Sequence, residues 1–245
     1  EESEWIVTMN IQHENVLLRL ASDVDTEEIL AIYPELYASY SPINLGLGIP
    51  LREKLMDLSI VNAVSQNYSM VAIDNVTGEI VGFNICEVVQ PYQDIEAELT
   101  TNSTDATTQL HELMMKDFIG TLYQDFNAII PKYKVFYHYI VAVKPSHRGK
   151  GIHGMFLDVS EELAMAEGCD LEIAEVATKA AQRNFEKKGF KCLKELKYCD
   201  YSFNGEGMNK EKLGDEESCK LMYKMCKSSP NCDVIDLEIE ATKVQ

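Results

Sequence analysis

At 245 residues, with 46% hydrophobic, 9% aromatic and 25% charged side chains, the chain is long enough to bury a core without staples. No apolar run approaches the roughly 20 residues of a membrane-spanning helix. Twenty-two Lys and Arg against 40 Asp and Glu leave a formal charge of −18, which argues against a general duplex-DNA binder, because backbone affinity comes from basic side chains.

The imbalance is lopsided: residues 1–118 hold four basic side chains (Arg19, Arg52, Lys54, Lys116) against twenty acidic, and residues 119–245 hold eighteen against twenty. A solvated acidic surface accounts for this, and so does an anionic ligand on the C-terminal half with a cationic one approaching the N-terminal half. The start, Glu1-Glu2-Ser3-Glu4-Trp5, has neither the basic residues nor the apolar stretch of a signal peptide. Without an initiator Met it reads as a processed or cloned segment. The seven cysteines form no C-x-x-C pair, so free thiols in a reducing, cytoplasmic setting are expected, with neither a zinc site nor any other metal.

In chain order, Trp5 to Ile11 and Val16 to Ala21 read as two strands around the turn Gln12-His13-Glu14-Asn15. Asp23 or Asp25 caps a helix towards Tyr37, which Ser41-Pro42 stops, and a loop runs to Pro50. Leu51 to Val64 has a helical pattern. Met70 to Ile73 and Glu79 to Val89 form a hairpin about Asp74-Asn-Val-Thr-Gly78. Residues 90–106 read as loop. A helix from Thr107 to Phe126 follows, with Leu110, Leu113, Met114, Phe118 and Leu122 as its apolar stripe. Val135 to Val143 is a strand, Gly151 to Glu167 a helix, Leu171 to Val176 a strand, Lys179 to Lys188 a helix and Phe190 to Tyr198 a strand. A polar loop, 204–218, precedes a last strand from Cys219 to Cys226. Hairpins early and helical crossovers later predict one α/β domain over 1–227. It has a mixed sheet of about seven strands with helices on both faces, and a loose tail over 228–245.

Chemistry concentrates in Val143-Lys-Pro-Ser-His-Arg-Gly-Lys-Gly-Ile-His-Gly154. A buried strand enters a basic, glycine-rich turn that opens straight into a helix. There unpaired N–H groups and the positive dipole end face outward, glycines allow close approach, and Arg148 and Lys150 add charge. It is neither a Walker loop nor a dinucleotide fingerprint. Lys179, Arg183 and Lys187 share one face of the next helix.

Arg148-Gly-Lys-Gly151-Ile-His153 resembles the R/Q-x-x-G-x-G/A pyrophosphate motif of the GNAT superfamily of acyl-CoA N-acyltransferases. Ala181-Gln-Arg-Asn-Phe185-Glu-Lys-Lys-Gly-Phe190 is similar to its A-x-x-x-Y-E-K-x-G-F block. Ser41-Pro-Ile-Asn44, Gly151-Ile-His-Gly154, Lys188-Gly-Phe190 and Tyr198-Cys-Asp-Tyr201 resemble the invertebrate arylalkylamine N-acetyltransferase group. The resemblance implies acetyl transfer from acetyl-CoA to a small cationic amine of arylalkylamine or polyamine type. Its pyrophosphate would rest on Arg148, Gly149, Lys150, Gly151, Ile152, His153 and Gly154. Val141, Ala142 and Val143 of a splayed strand would meet the pantetheine arm, with Arg183 and Lys187 nearby. No nucleic-acid or membrane partner is implied.

The departures fall on the acid–base handles. His153 stands for Gly or Ala, Phe185 for Tyr, Ser41 for the Glu before Pro-aliphatic-Asn, and Ala177 and Ala181 for a serine pair. An acceptor amine with a pKa of ~10.4 needs roughly 4 kcal/mol of help to be neutral at pH 7, which a base of matched pKa supplies. Strict alternation puts Tyr137, Tyr139, Val141 and Val143 on one face and His138, Ile140 and Ala142 on the other. Tyr139, then Tyr137, becomes the candidate acid. Glu35 and Glu87 are available as bases, though both read more readily as solvated surface residues, and Ser41 could hold a water. Two alternatives stay open: a catalytically weakened acyl-CoA-binding sensor or partner protein, and an acetyltransferase acting on protein amino groups.

Overall fold

A computed structural model describes residues 10–50, 57–92 and 105–243. The predicted first strand therefore lies outside the described residues as far as residue 9, as does the predicted helix between Leu51 and Met56. The chain runs β1 (Asn10–His13), β2 (Val16–Leu20), α1 (Thr26–Tyr33), α2 (Pro42–Leu47), α3 (Asp57–Ser65), β3 (Met70–Asp74), β4 (Ile80–Val89), α4 (Ala106–Tyr123) and β5 (Val135–Val143). It continues through α5 (Ile152–Ala166), β6 (Leu171–Val176), α6 (Lys179–Lys187), β7 (Lys191–Lys197), β8 (Ser202–Phe203), β9 (Glu206–Gly207), α7 (Lys210–Leu213), β10 (Ser218–Met225) and α8 (Cys232–Lys243).

One eight-stranded sheet, ordered β1-β2-β3-β4-β5-β6-β10-β7, forms the frame, close to the seven strands expected. Among the described residues β5 and β6 are the one hydrogen-bonded pair of strands that runs parallel, and the helical crossover α5 joins them. Strand β4 is buried at every residue, the signature of a central strand covered on both sides. One face lies under α5, whose Ile152, Phe156, Val159 and Leu163 pack on Val81, Val88 and Phe136. The other lies under α1 and α3 over its N-terminal half, and under α4 and α8 over its C-terminal half.

The register of β4 and β5 corrects the assignment of faces. Ile85 pairs with Ile140, but Cys86 pairs with His138, so Tyr139 is an extra residue on β5, a β-bulge. Alternation slips there by one. Ile140 and Ala142 join the cluster under α1 and α3, whereas Val141 and Val143 pack beneath α5. Tyr137 and Tyr139 still share a side, their rings 5.6 Å apart, because the bulge absorbs the step.

Other expectations change as well. The first helix is α-helical only to Tyr33. Pro34, which has no N–H, begins a π-helical turn over Pro34–Ala38, closed by the Ser39 amide on the Pro34 carbonyl at 3.0 Å. The expected loop after Ser41-Pro42 contains α2, with proline in the first helical turn where its missing N–H costs nothing. On α4 the stripe is Met115, Phe118, Ile119 and Leu122, and Leu110 and Leu113 are exposed. The polar stretch 204–218 contains β9 and α7, with β8 pairing to β9.

The loose tail is corrected most plainly: Cys232–Lys243 is a helix whose Ile235 and Ile239 are fully buried against the C-terminal core. Lys132 and the Tyr133 hydroxyl hold it through Glu238 at 2.8 and 2.9 Å. Its Ile235 and Ile239 recur at helical spacing, and β10 supplies the surface they need. Ile239→Ala should therefore cost about 2–5 kcal/mol, measured by urea denaturation, where an undocked tail would leave the midpoint unchanged.

Candidate active site

Strand β5 pairs with β4 from Val135 to Val143 but with β6 only from Val135 to His138, the last pair being His138 with Ala174. Past that point the two parallel strands part. Tyr139 to Val143 then present backbone to a gap, with Glu175 and Val176 across it. A gap between parallel strands at their C-terminal ends is where an open α/β sheet accommodates a ligand. The sequence-predicted Val141, Ala142 and Val143 lie along this free edge.

The turn above the gap has the features of an anion cradle. Gly149 and Gly151 have φ of 79° and 80°, a region that L-residues rarely adopt. Gly151 is the N-cap of α5 and has no side chain with which to satisfy the first amides of that helix. Several contacts pin the turn to neighbouring strands. His147 Nε2 lies 3.0 Å from Asp74 Oδ2 at the end of β3, and His13 Nε2 of β1 lies 3.1 Å from the Lys150 carbonyl oxygen. Arg148 donates from Nε to the Val143 carbonyl oxygen at 3.1 Å and lies 4.4 Å above the Tyr40 ring. Asp74 is held below the usual carboxylate range by the amides of Val76 and Thr77 and by His147. His13, Tyr40 and Asp74 lie far from the motif in the chain, and nothing local to it signals them.

Of the predicted cradle residues, Ile152 is buried in the core and offers only its backbone. His153 turns towards α6: its Nδ1 lies 3.1 Å from Asn184 Nδ2, and its ring meets Phe185 edge to face at 5.5 Å. Its Nε2 is buried without a hydrogen-bond partner. Burial, with His138 nearby, lowers its pKa to about 4, so the ring is neutral at pH 7. Arg183 and Lys187 are exposed on α6. Lys187 lines a cavity of about 580 Å³ with Lys188, Lys191, Lys224 and Lys227, beside the start of β6.

On the sheet face opposite α5, tyrosines gather at the gap. The Tyr137 hydroxyl donates to Glu175 Oε2 at 2.6 Å, and the Tyr123 hydroxyl donates to Glu175 Oε1. The Tyr198 hydroxyl donates to the Ala177 carbonyl oxygen at 2.6 Å. Burial, then the nearby Glu175 charge, pushes the Tyr137 phenol well above its ordinary value. Burial does the same to Tyr37, with Cys219 and Glu175 adding and Ser41 opposing. Ser41 is itself buried and caps α2 through the Asn44 amide at 3.4 Å. Tyr139 is half-buried beside Tyr137.

Glu35 is exposed on the π-helical turn. Glu87 is buried at 4% exposure, opposite Tyr137 in the register, and so differs from the solvated residue expected. His138 points to the α5 face, as expected, and there its Nε2 lies 3.0 Å from Glu172 Oε2 with both side chains 1% exposed. Glu175 is the residue that sequence reasoning passed over. Its signal was a carboxylate inside the apolar run Leu171-Glu-Ile-Ala-Glu-Val176.

A profile of the acetyltransferase (GNAT) family matches residues 33–190. Among solved structures, arylalkylamine N-acetyltransferase 2 from Aedes aegypti is similar with a TM-score of 0.69 at 21% identity, over 87% of this chain and 100% of that one. A mosquito arylalkylamine N-acetyltransferase-like 5b gives 0.71 at 20% identity, over 86% and 99%. The Drosophila melanogaster polyamine N-acetyltransferase gives 0.68 at 15%, over 86% and 99%. No curated protein matches by sequence.

The low pKa of His153 makes a stability prediction. A histidine neutral in the fold at about 4, against 6.5 when exposed, leaves the unfolded chain binding the extra proton between those values. Stability should fall as pH drops from about 6.5 to about 4, by up to roughly 3 kcal/mol. His153→Ala should flatten that acid limb in urea titrations at pH 7 and pH 5.

Proposed function

The chain belongs to the acetyltransferase (GNAT) family, and we propose that it transfers an acetyl group from acetyl-CoA to the amine of a small cationic acceptor of arylalkylamine or polyamine type. The observation that carries this reading is the gap between β5 and β6 beyond His138 and Ala174, with an uncapped glycine turn at its mouth and a tyrosine-lined carboxylate on one side. The residues fit the cofactor. Gly149 and Gly151 permit a cradle of bare amides, Arg148 and Lys150 add positive charge, and Gly154 lets the Lys188 side chain lie close to the first turn of α5.

In this reading the amides of Ile152, His153 and Gly154 face the pyrophosphate, and the free edge of Val141, Ala142 and Val143 takes the pantetheine arm. Arg183 and Lys187 lend longer-range charge. Acetyl-CoA supplies an activated acyl thioester. Amides on the β5 edge polarise its carbonyl, as preorganised donors do in acyl transfer. The Tyr139 hydroxyl, set at the bulge, is the donor for the departing sulfur. Ser41 acts by fixing α2 and the Tyr37 ring that lines the acceptor side, and Glu35 stays with solvent.

The acidic N-terminal half favours a cationic acceptor by attraction, and the polyamine and arylalkylamine neighbours act on amines by their names. No helix among the described residues is long and apolar enough to cross a membrane. A thiol-release assay across aryl-alkylamines, diamines and basic peptides tests the reading. Turnover of small amines is expected, with Tyr139→Phe slower by about a hundredfold or more and Arg148→Glu weakening coenzyme A by about tenfold or more. Saturable coenzyme A binding with no turnover anywhere in the panel would favour a sensor or partner protein, the reading motivated by the altered acid–base positions. Turnover of peptides alone would make it a protein acetyltransferase.

A further inference from the structure

Acetyl transfer to a cationic amine needs a group that receives the ammonium and removes a proton. The positions read from the sequence do not fill that role: Glu35 is exposed, Ser41 is a helix cap, and Glu87 is buried at 4% exposure on β4, across β5 from the gap. Glu175 stands one residue beyond the last β5–β6 pair, where the strands have parted. Alternation along β6 turns it to the side of Leu171 and Ile173, which pack under α4, the side occupied by Tyr137 and Tyr139.

Its two oxygens accept hydroxyls from different elements, Tyr123 of α4 and Tyr137 of β5. Its charge is felt by Tyr37 on the π-helical turn and by Cys219 on β10. The half-buried carboxylate thus joins α4 to β5. Phenol donors orient the group without neutralising it.

We infer that Glu175 is the catalytic base of the acceptor site, the carboxylate that receives the substrate ammonium and takes its proton. This rests on the acetyl-transfer reading above and deepens it. The step balances as follows. One N–H proton passes to the Glu175 carboxylate, leaving a neutral amine and a carboxylic acid. The nitrogen lone pair forms the C–N bond, and the C–S bond breaks with its electron pair on sulfur. A second nitrogen proton reaches that sulfur by way of Tyr139. Glu175 then returns its proton to solvent.

The phenols of Tyr37 and Tyr137 and the Cys219 thiol, which face Glu175 from the π-helical turn, β5 and β10, are all pushed upward. They therefore stay protonated at neutral pH. Tyr123 faces it from α4 through a donated hydroxyl.

The test compares wild type, Glu175→Gln and Glu175→Asp with tyramine and agmatine as acceptors. Glu175→Gln should lower kcat/KM about a hundredfold or more while coenzyme A affinity stays within about twofold. Its rate should keep rising with pH towards the amine's own pKa near 10, where wild type levels off earlier. Calorimetry on the coenzyme A-loaded protein should show amine affinity reduced about tenfold, roughly the worth of one charge-assisted contact. Glu175→Asp, which keeps the charge and withdraws it by one methylene, should retain rate above Glu175→Gln and below wild type. It decides the matter if the glutamine variant fails to fold. A glutamine or aspartate variant with wild-type rate, pH profile and amine affinity would overturn the inference and leave acetyl transfer standing. If wild type neither binds nor acetylates either amine, the transfer reading itself falls, and this role falls with it.

Discussion

The structure turns on a single register fault. Strand β5 carries one residue more than β4 opposite the Ile85–Cys86 step, and that residue is Tyr139. A bulge sharpens local twist and bends the strand that contains it. Here the bend coincides with the end of β5–β6 pairing at His138 and Ala174. Below the bulge the two strands are an ordinary parallel pair in a packed core. Above it each keeps its outer neighbour, β4 or β10, and the space between opens. Side-chain packing holds the parted edges: Phe83, Ile140 and Ala142 are locked under α1 and α3, and Val176 packs in one cluster with Phe185 of α6. The two strands can stay apart across the gap because the elements beside it are over-determined elsewhere.

The helical crossover follows from the same geometry. Helix α5 starts where β5 ends and must return across the sheet to reach the parallel β6. Its positive end is therefore fixed at the mouth of the gap. Gly151, with φ of 80° and no side chain, leaves that end bare, and His13 and Asp74 from strands on the far side of β4 hold the turn in place. The glycine turn and the gap are one construction.

Much of this was legible in the sequence, for local reasons. Glycines, cations and an abrupt strand-to-helix switch between residues 143 and 154 are written contiguously, and Val135–Val143, Leu171–Val176 and α6 lie within a residue or so of where their periodicities put them. The faces of β5 were not legible past His138. A bulge depends on how two strands some fifty residues apart fit together, and nothing in Phe-Tyr-His-Tyr-Ile-Val-Ala announces an extra residue. The docking of α8 was hidden for a similar reason. Ile235 and Ile239 have a partner only once β10 is placed beside β6. Glu175 was missed because an isolated acid in an apolar strand acquires meaning only from the tyrosines that the fold brings to it.

Strand β6 holds two glutamates three residues apart, and a strand's period of two sends them to opposite faces. Adjacent residues of β5 meet them: His138 meets Glu172 under α5, and Tyr137 meets Glu175 under α4. The first pair is sealed at 1% exposure, with Lys224 3.9 Å from the other Glu172 oxygen. Burying such a group is tolerable only because each has a partner, and removing one partner leaves the other stranded at a cost of several kcal/mol, on the order of 3–5. It therefore ties β5 to β6 at the last position before they separate. The second pair lies just past that tie, half-buried and held by phenols rather than enclosed. Sealing one carboxylate fixes where the strands part, and the parting leaves the other carboxylate beside the gap.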